Sequence, residues 1–118
     1  MNSYEKLVKN VISWGQAKGL HTPDLQPQFV KLVEELGELA AGIARKDTGK
    51  IIDAVGDMQV VLINFGACLA RFIYPSDIEE QLTLEKYFME STLNLAWDQI
   101  KDRTGHTRDG VFIKDEER

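Results

Sequence analysis

"KLVEELGELA", residues 31–40, sets Glu34, Glu35 and Glu38 among Leu32, Val33, Leu36 and Leu39. At about 100° per residue, Phe29, Leu32, Leu36, Leu39 and Ile43 fall in one arc, the spacing of an amphipathic helix that packs on a neighbour. Glu34 and Glu38 gather on the far side, and Glu35 stands on the border of the apolar arc. Like charges one turn apart repel. The stretch therefore reads as a helix and raises the question of what holds its carboxylates together. Taken alone, such a face is usually solvated.

The next apolar run changes that balance. "IIDAVGDMQVVLINFGACLA", residues 51–70, is apolar nearly all round, which predicts a helix buried on most sides. Yet Asp53, Asp57 and Asn64 line up within a narrow arc of it. A buried carboxylate is neutralised, paired or bound to metal, because leaving it alone is costly. Ion pairs to Lys31 or Lys50, or a stripe reaching solvent, would be the structural solution. A divalent cation would be the functional one.

Prolines and glycines set the boundaries. A first helix is expected over about 3–19, with Ser3 as cap and Gly19 as stop. "HTPDLQP", residues 21–27, is a linker interrupted by Pro23 and Pro27. The second helix is expected over 27–45, opening on Pro27. "KDTG", residues 46–49, is a turn. A third helix covers 50–72, and a fourth, capped by Ser76 after Pro75, covers 76–103. Residues 104–118 form a tail with one short extended piece at "GVFIK". Four long helices on short links predict an all-α, antiparallel four-helix bundle in a single domain spanning 1–118.

Composition narrows the function. The chain has 118 residues, 43% of them apolar, and a formal net charge of −5. That content supports a folded domain rather than a disordered chain. The charge argues against a nucleic-acid coat, which needs a basic surface. No stretch is uninterruptedly apolar for the length of a membrane span, and "MNSYEKLVKN" has no apolar signal core. The expectations are a cytoplasmic protein with no nucleic-acid and no membrane partner. Cys68 stands alone, so neither an internal disulfide nor a cysteine-rich zinc site is available.

The second and third helices are joined by a short turn and so pack antiparallel, with their acidic stripes across one seam. Four or five carboxylates there call for a cation, and hard oxygen ligands suit Mg²⁺ or Mn²⁺ rather than zinc. A di-iron bundle uses Glu-x-x-His motifs, whereas His21 and His106 lie outside any such motif.

These residues carry a resemblance. The sequence resembles the MazG-like, all-α nucleoside triphosphate pyrophosphohydrolases, whose signature is Glu-Glu-x-x-Glu on one helix and Glu-x-x-Asp on the next. "EELGE" supplies the first part, and "DAVGD" approximates the second. "WGQAKGL" and "IKDRTGHTRDGVFIK" extend the likeness along nearly the whole chain. One departure stands out. Where the pattern has glutamate three residues before the final aspartate, this chain has Ala54, with Asp53 beside it and still on the face of Asp57.

The resemblance implies cleavage of an NTP or dNTP between its α and β phosphates, with Mg²⁺ (or Mn²⁺) as cofactor; no serine, cysteine or histidine nucleophile stands near the carboxylates, so direct attack by water is expected. It implies Glu35, Glu38 and Asp57 as metal ligands, Asp53 in the place of the missing glutamate, and Glu34 as the carboxylate that orients or deprotonates water. Lys31, Lys101 and Arg103, with Arg108 near them, are the cationic candidates for the phosphates. Asn64 and Asn94 are candidates for base or sugar, and Trp14 for base stacking. A homodimer or a dimer-of-dimers tetramer, with sites completed across the interface, comes with the resemblance. The alternative is a non-catalytic helical oligomerisation or adaptor module.

Overall fold

The computed structural model describes residues 2–115; the first residue and positions 116–118 of the expected tail lie outside the described residues. The chain is an all-α four-helix bundle: α1 (Ser3–Ala17), α2 (Gln26–Arg45), α3 (Thr48–Ile73) and α4 (Ile78–Ile100). A two-stranded antiparallel hairpin follows, β1 (Gly105–Arg108) and β2 (Val111–Lys114).

The helix starts are set by carboxylate and amide caps. Asn2 Oδ1 accepts from Glu5 N at 2.8 Å, so Asn2 rather than Ser3 caps α1. Asp77, not Ser76, caps α4 by accepting from Glu80 N at 3.1 Å, which moves the start two residues past expectation. Asp47 caps α3 by accepting from Lys50 N at 3.1 Å. This shortens the α2–α3 link to Lys46 and Asp47, with Lys46 in the left-handed region at φ 54° closing α2. Pro27 is the second residue of α2, where its missing N–H costs nothing.

The tail holds more order than one extended piece. Asp109 (φ 51°) and Gly110 (φ 79°) form a two-residue turn, and His106 pairs with Ile113, Thr107 with Phe112. Asp-Gly between strand-like runs is a strong local hairpin signal. Thr104 and Asp115 close the open end through two hydrogen bonds, at 2.7 and 2.9 Å.

The bundle is centred on α3, and its core is small. Val61, Ile63, Asn64, Gly66, Ala67, Cys68 and Ala70 are buried along the second half of α3. Gly66 admits the Phe88 ring of α4, and Phe65 meets the same ring at 6.3 Å. Arg71 and Glu85, both largely buried, pair at 2.9 Å between α3 and α4, and Arg71 also donates to Ala67 O. By length and composition alone α3 would suffice to cross a membrane. Here three other helices pack on it, and it carries two aspartates.

Helix α2 packs only on α3, and neither α1 nor α4 reaches it. The apolar arc expected to be buried is therefore half open: Leu32 and Leu39 are partly covered, while Phe29, Leu36 and Ile43 are each more than half exposed. The first half of α3 is likewise less buried than expected, with Ile52 70% exposed. Every described residue from Glu90 to Asp115 is exposed as well. The accessible surface is 8925 Å², against roughly 6,500 Å² for a folded monomer of this mass. The radius of gyration is 16.9 Å, against roughly 13.5 Å for a compact chain of this length.

Candidate active site

The acidic stripes of α2 and α3 do share a seam. Glu35, Glu38, Lys50, Asp53, Ala54 and Asp57 line a cleft of about 370 Å³. This follows from the two-residue link, which sets the end of α2 against the start of α3, and from the helical spacing of 35 with 38 and of 53 with 57. Gly42 lets the helices close: a Cβ there would stand 3.2 Å from Ile51 N.

Beside this cleft lies a cavity of about 470 Å³, lined by Trp14, Leu20, Pro27, Val60 and Val61 with Gln28, Lys31 and Asn64. Glu35 and Asp57 line both spaces, so the two adjoin at these carboxylates. Glu35 is buried at 9% exposure, and Asp57 is exposed.

The cations nearby are already engaged. Lys31 Nζ lies 3.2 Å from Glu34 and 3.5 Å from Glu35, and Lys50 Nζ lies 2.9 Å from Glu38. The Glu34 carboxylate, bonded to Lys31, holds the lysine above its usual value. The Lys50 ammonium, bonded to Glu38, holds that carboxyl below its usual range. Asp53 and Asp57 make no ion pair among the described residues. The expected lysine pairing thus goes to the glutamates.

As oriented, no three His, Cys, Asp or Glu side chains among the described residues converge closely enough to hold a metal ion. The donor chemistry nevertheless fits a hard cation, since four carboxylates line one open cleft. Drawing them together requires side-chain rotation and release of Lys50 from Glu38.

The remaining candidates separate. Asn64 is 1% exposed; it donates to Val60 O at 3.1 Å and accepts from His21 Nε2 at 2.8 Å. His21 Nδ1 beside it is buried without a partner among the described residues. Trp14 is half exposed at the cavity wall rather than in the core. Cys68 is buried and donates to Leu20 O at 3.2 Å. Glu34 lines neither space. Asn94, Lys101 and Arg103 lie on the exposed end of the chain, away from both; Lys101 pairs with Asp98 at 3.3 Å. Gln28, buried at 8%, was not a sequence candidate. Its signal was available, because it stands two turns before Glu35 on the same face.

The chain is 39% identical over 66 residues to a protein of Haemophilus phage HP1, described as an uncharacterized 18.2 kDa protein in the rep-hol intergenic region. The match takes in 53% of this chain and 39% of that protein. No family model matches the chain, and no solved structure matches it.

Proposed function

We propose that this chain is a MazG-like nucleoside triphosphate pyrophosphohydrolase, a hydrolase releasing pyrophosphate and a (d)NMP from a (d)NTP. The observation that supports this is the adjoining of two unlike spaces at Glu35 and Asp57: an acidic cleft and an apolar-walled cavity ending in amides. A nucleotide has that polarity, with an anionic end that binds through cations and a planar base that prefers apolar walls with a few polar groups.

In this reading Glu35, Glu38, Asp53 and Asp57 would hold Mg²⁺, or Mn²⁺ in its place. When bound, the ion offsets negative charge on the phosphate oxygens. Glu34 lines neither space and is bonded to Lys31; turned toward the cleft it would accept a proton from the water that attacks the α phosphorus as the bond to the β phosphate breaks. Lys31, paired with Glu34 and Glu35, would leave them to face phosphate. Trp14 covers the base, and Asn64, fixed by Val60 and His21, presents a rigid amide to it. The setting is cytoplasmic and the unit a homodimer or a pair of dimers.

The surface in excess of a monomer's also favours a second reading, a helical assembly module without catalysis. Divalent metal separates the two. The pure protein should release pyrophosphate from at least one of the common or damaged NTPs and dNTPs with Mg²⁺. No pyrophosphate across that panel overturns the enzyme reading.

A further inference from the structure

Among the described residues, five polar or charged side chains are buried: Gln28, Glu35, Asn64, Gln81 and Glu85. Four of them have partners. Glu35 pairs with Lys31 and Glu85 with Arg71. Gln81 donates to Tyr74 O at 2.6 Å, and Asn64 bonds both Val60 O and His21. The fifth, Gln28, is 8% exposed, and its side chain makes no hydrogen bond among the described residues. Taking an amide out of water without a partner is costly. Gln28 lines the cavity of about 470 Å³ that Trp14 and Asn64 also line, so a molecule in that cavity is what could satisfy it.

The two amides of this cavity differ in freedom. Asn64 cannot turn. Its Nδ2 donates to Val60 O at 3.1 Å, which leaves Oδ1 at His21 Nε2, and that nitrogen must then carry the hydrogen. Asn64 keeps one N–H and one lone pair, in fixed order. Nothing holds the Gln28 amide. Its terminal torsion is roughly two-fold, so it can present its N–H and its carbonyl in either order. Gln28 also stands two turns before Glu35 on one face of α2, about 10 Å along the axis. A ring held beside Gln28 and Trp14 therefore leaves room for a sugar before the carboxylates begin.

We propose that Gln28 reads the base, and that its freedom to turn lets the cavity take bases with an amino or a keto group at the same ring position, cytosine and uracil alike. Cytosine offers an amino donor beside a ring-nitrogen acceptor. Uracil offers a keto acceptor beside a ring N–H. An amide meets either edge with two hydrogen bonds by turning over. That the occupant is a nucleobase rests on the hydrolase reading; the unpaired amide in the cavity does not.

Cytidine and uridine test this without phosphate, metal or turnover. The chain has two tryptophans, and Trp97 lines no part of the cavity, so Trp97→Phe leaves Trp14 as the reporter. In that background both nucleosides should quench Trp14 fluorescence with like affinity. A preference beyond about tenfold, the scale of one bidentate amide–base pair, overturns the free amide. 3-Methyluridine, which lacks the ring N–H, should bind about tenfold more weakly than uridine. Gln28→Met is close in size and has no strong donor or acceptor. It should weaken cytidine and uridine by about tenfold and no longer distinguish uridine from 3-methyluridine. Its melting temperature should be no lower than the wild type's, because it removes an unpaired buried amide. Unchanged nucleoside binding in Gln28→Met, or no quenching of the Trp97→Phe protein by either nucleoside, overturns the proposal, and pyrophosphate release by the wild type would then leave the hydrolase reading standing. Nucleosides bound through Gln28 with no hydrolysis of any NTP leave Gln28 as the reader and overturn the hydrolase reading.

Discussion

At the residue scale the seam is a set of carboxylates balanced by two lysines. If the hydrolase proposal holds, Glu38→Gln keeps shape and removes one ligand charge. Altering an outer partner of a metal ligand costs about 10–100-fold, so losing a ligand should cost at least as much. Turnover is expected to fall by about 100-fold, with an unchanged melting temperature. Wild-type turnover in that variant would remove Glu38 from the site. Asp53 and Asp57 line the same cleft without ion pairs, so Asp53→Asn and Asp57→Asn should weaken the magnesium dependence of the rate to similar extents. Asp53→Asn with full activity would leave Glu35, Glu38 and Asp57 as the shell. The Glu38 carboxyl is held below its usual range by Lys50. Its stabilising contribution is therefore complete above the ordinary glutamate range and is lost as pH falls through the lowered value. Lys31 runs the other way: held up by Glu34, it contributes below the ordinary lysine value and loses this as pH rises through the raised one. Lys50→Met should raise the Glu38 titration, followed by carboxyl NMR, toward the ordinary range, with Arg45 and Lys31 still holding it down in part.

At the scale of elements, α3 organises the rest through small residues. Gly66 is where α4 comes closest: a Cβ there would stand 2.5 Å from the Phe88 ring, and that ring is wedged against Phe65. Gly66→Ala raises helix propensity on an isolated helix, yet here the overlap dominates. The expected net loss is about 1–3 kcal/mol in a denaturant melt, the usual scale of overpacking. Gain in stability would mean that Phe88 moves freely. Gly15, on α1, plays the matching part toward α3, since a Cβ there would collide with the Asn64 amide that His21 holds.

At the scale of the whole molecule, the proposed metal site and assembly would set stability together. Clustered carboxylates repel when empty, so a cation that binds only the folded state stabilises by mass action, by about 2.7 kcal/mol at 100 times its Kd. Thermal melts with Mg²⁺ or Mn²⁺ should lie above those in EDTA. No shift at millimolar metal, on the order of the weaker protein sites for divalent cations, would favour a solvated acidic face. With so much apolar surface open on a single chain, the melting temperature should also rise with protein concentration.

The four helices and the acidic seam were legible in the sequence because they rest on local physics. Prolines and glycines interrupt the chain, apolar residues recur at helical spacing, and the short 46–49 link forces α2 against α3. The carboxylates of "EELGE" and "DAVGD" follow the same periodicity into one cleft. Asp77 as cap and the Asp109–Gly110 hairpin were equally local signals, outweighed by neighbouring Ser76 and by the charge of the tail. What only the tertiary structure decided is which side of each helix is covered. An apolar arc states that something packs on it, and cannot state whether that is the same chain: Phe29, Leu36 and Ile43 lie open because α1 and α4 both pack on α3 instead. The burial of Glu35 and Gln28, the pairing of Lys50 with Glu38, and the distance of Asn94, Lys101 and Arg103 from the cleft all follow from that arrangement, because long-range contacts depend on where helices end up and not on the spacing within any one of them.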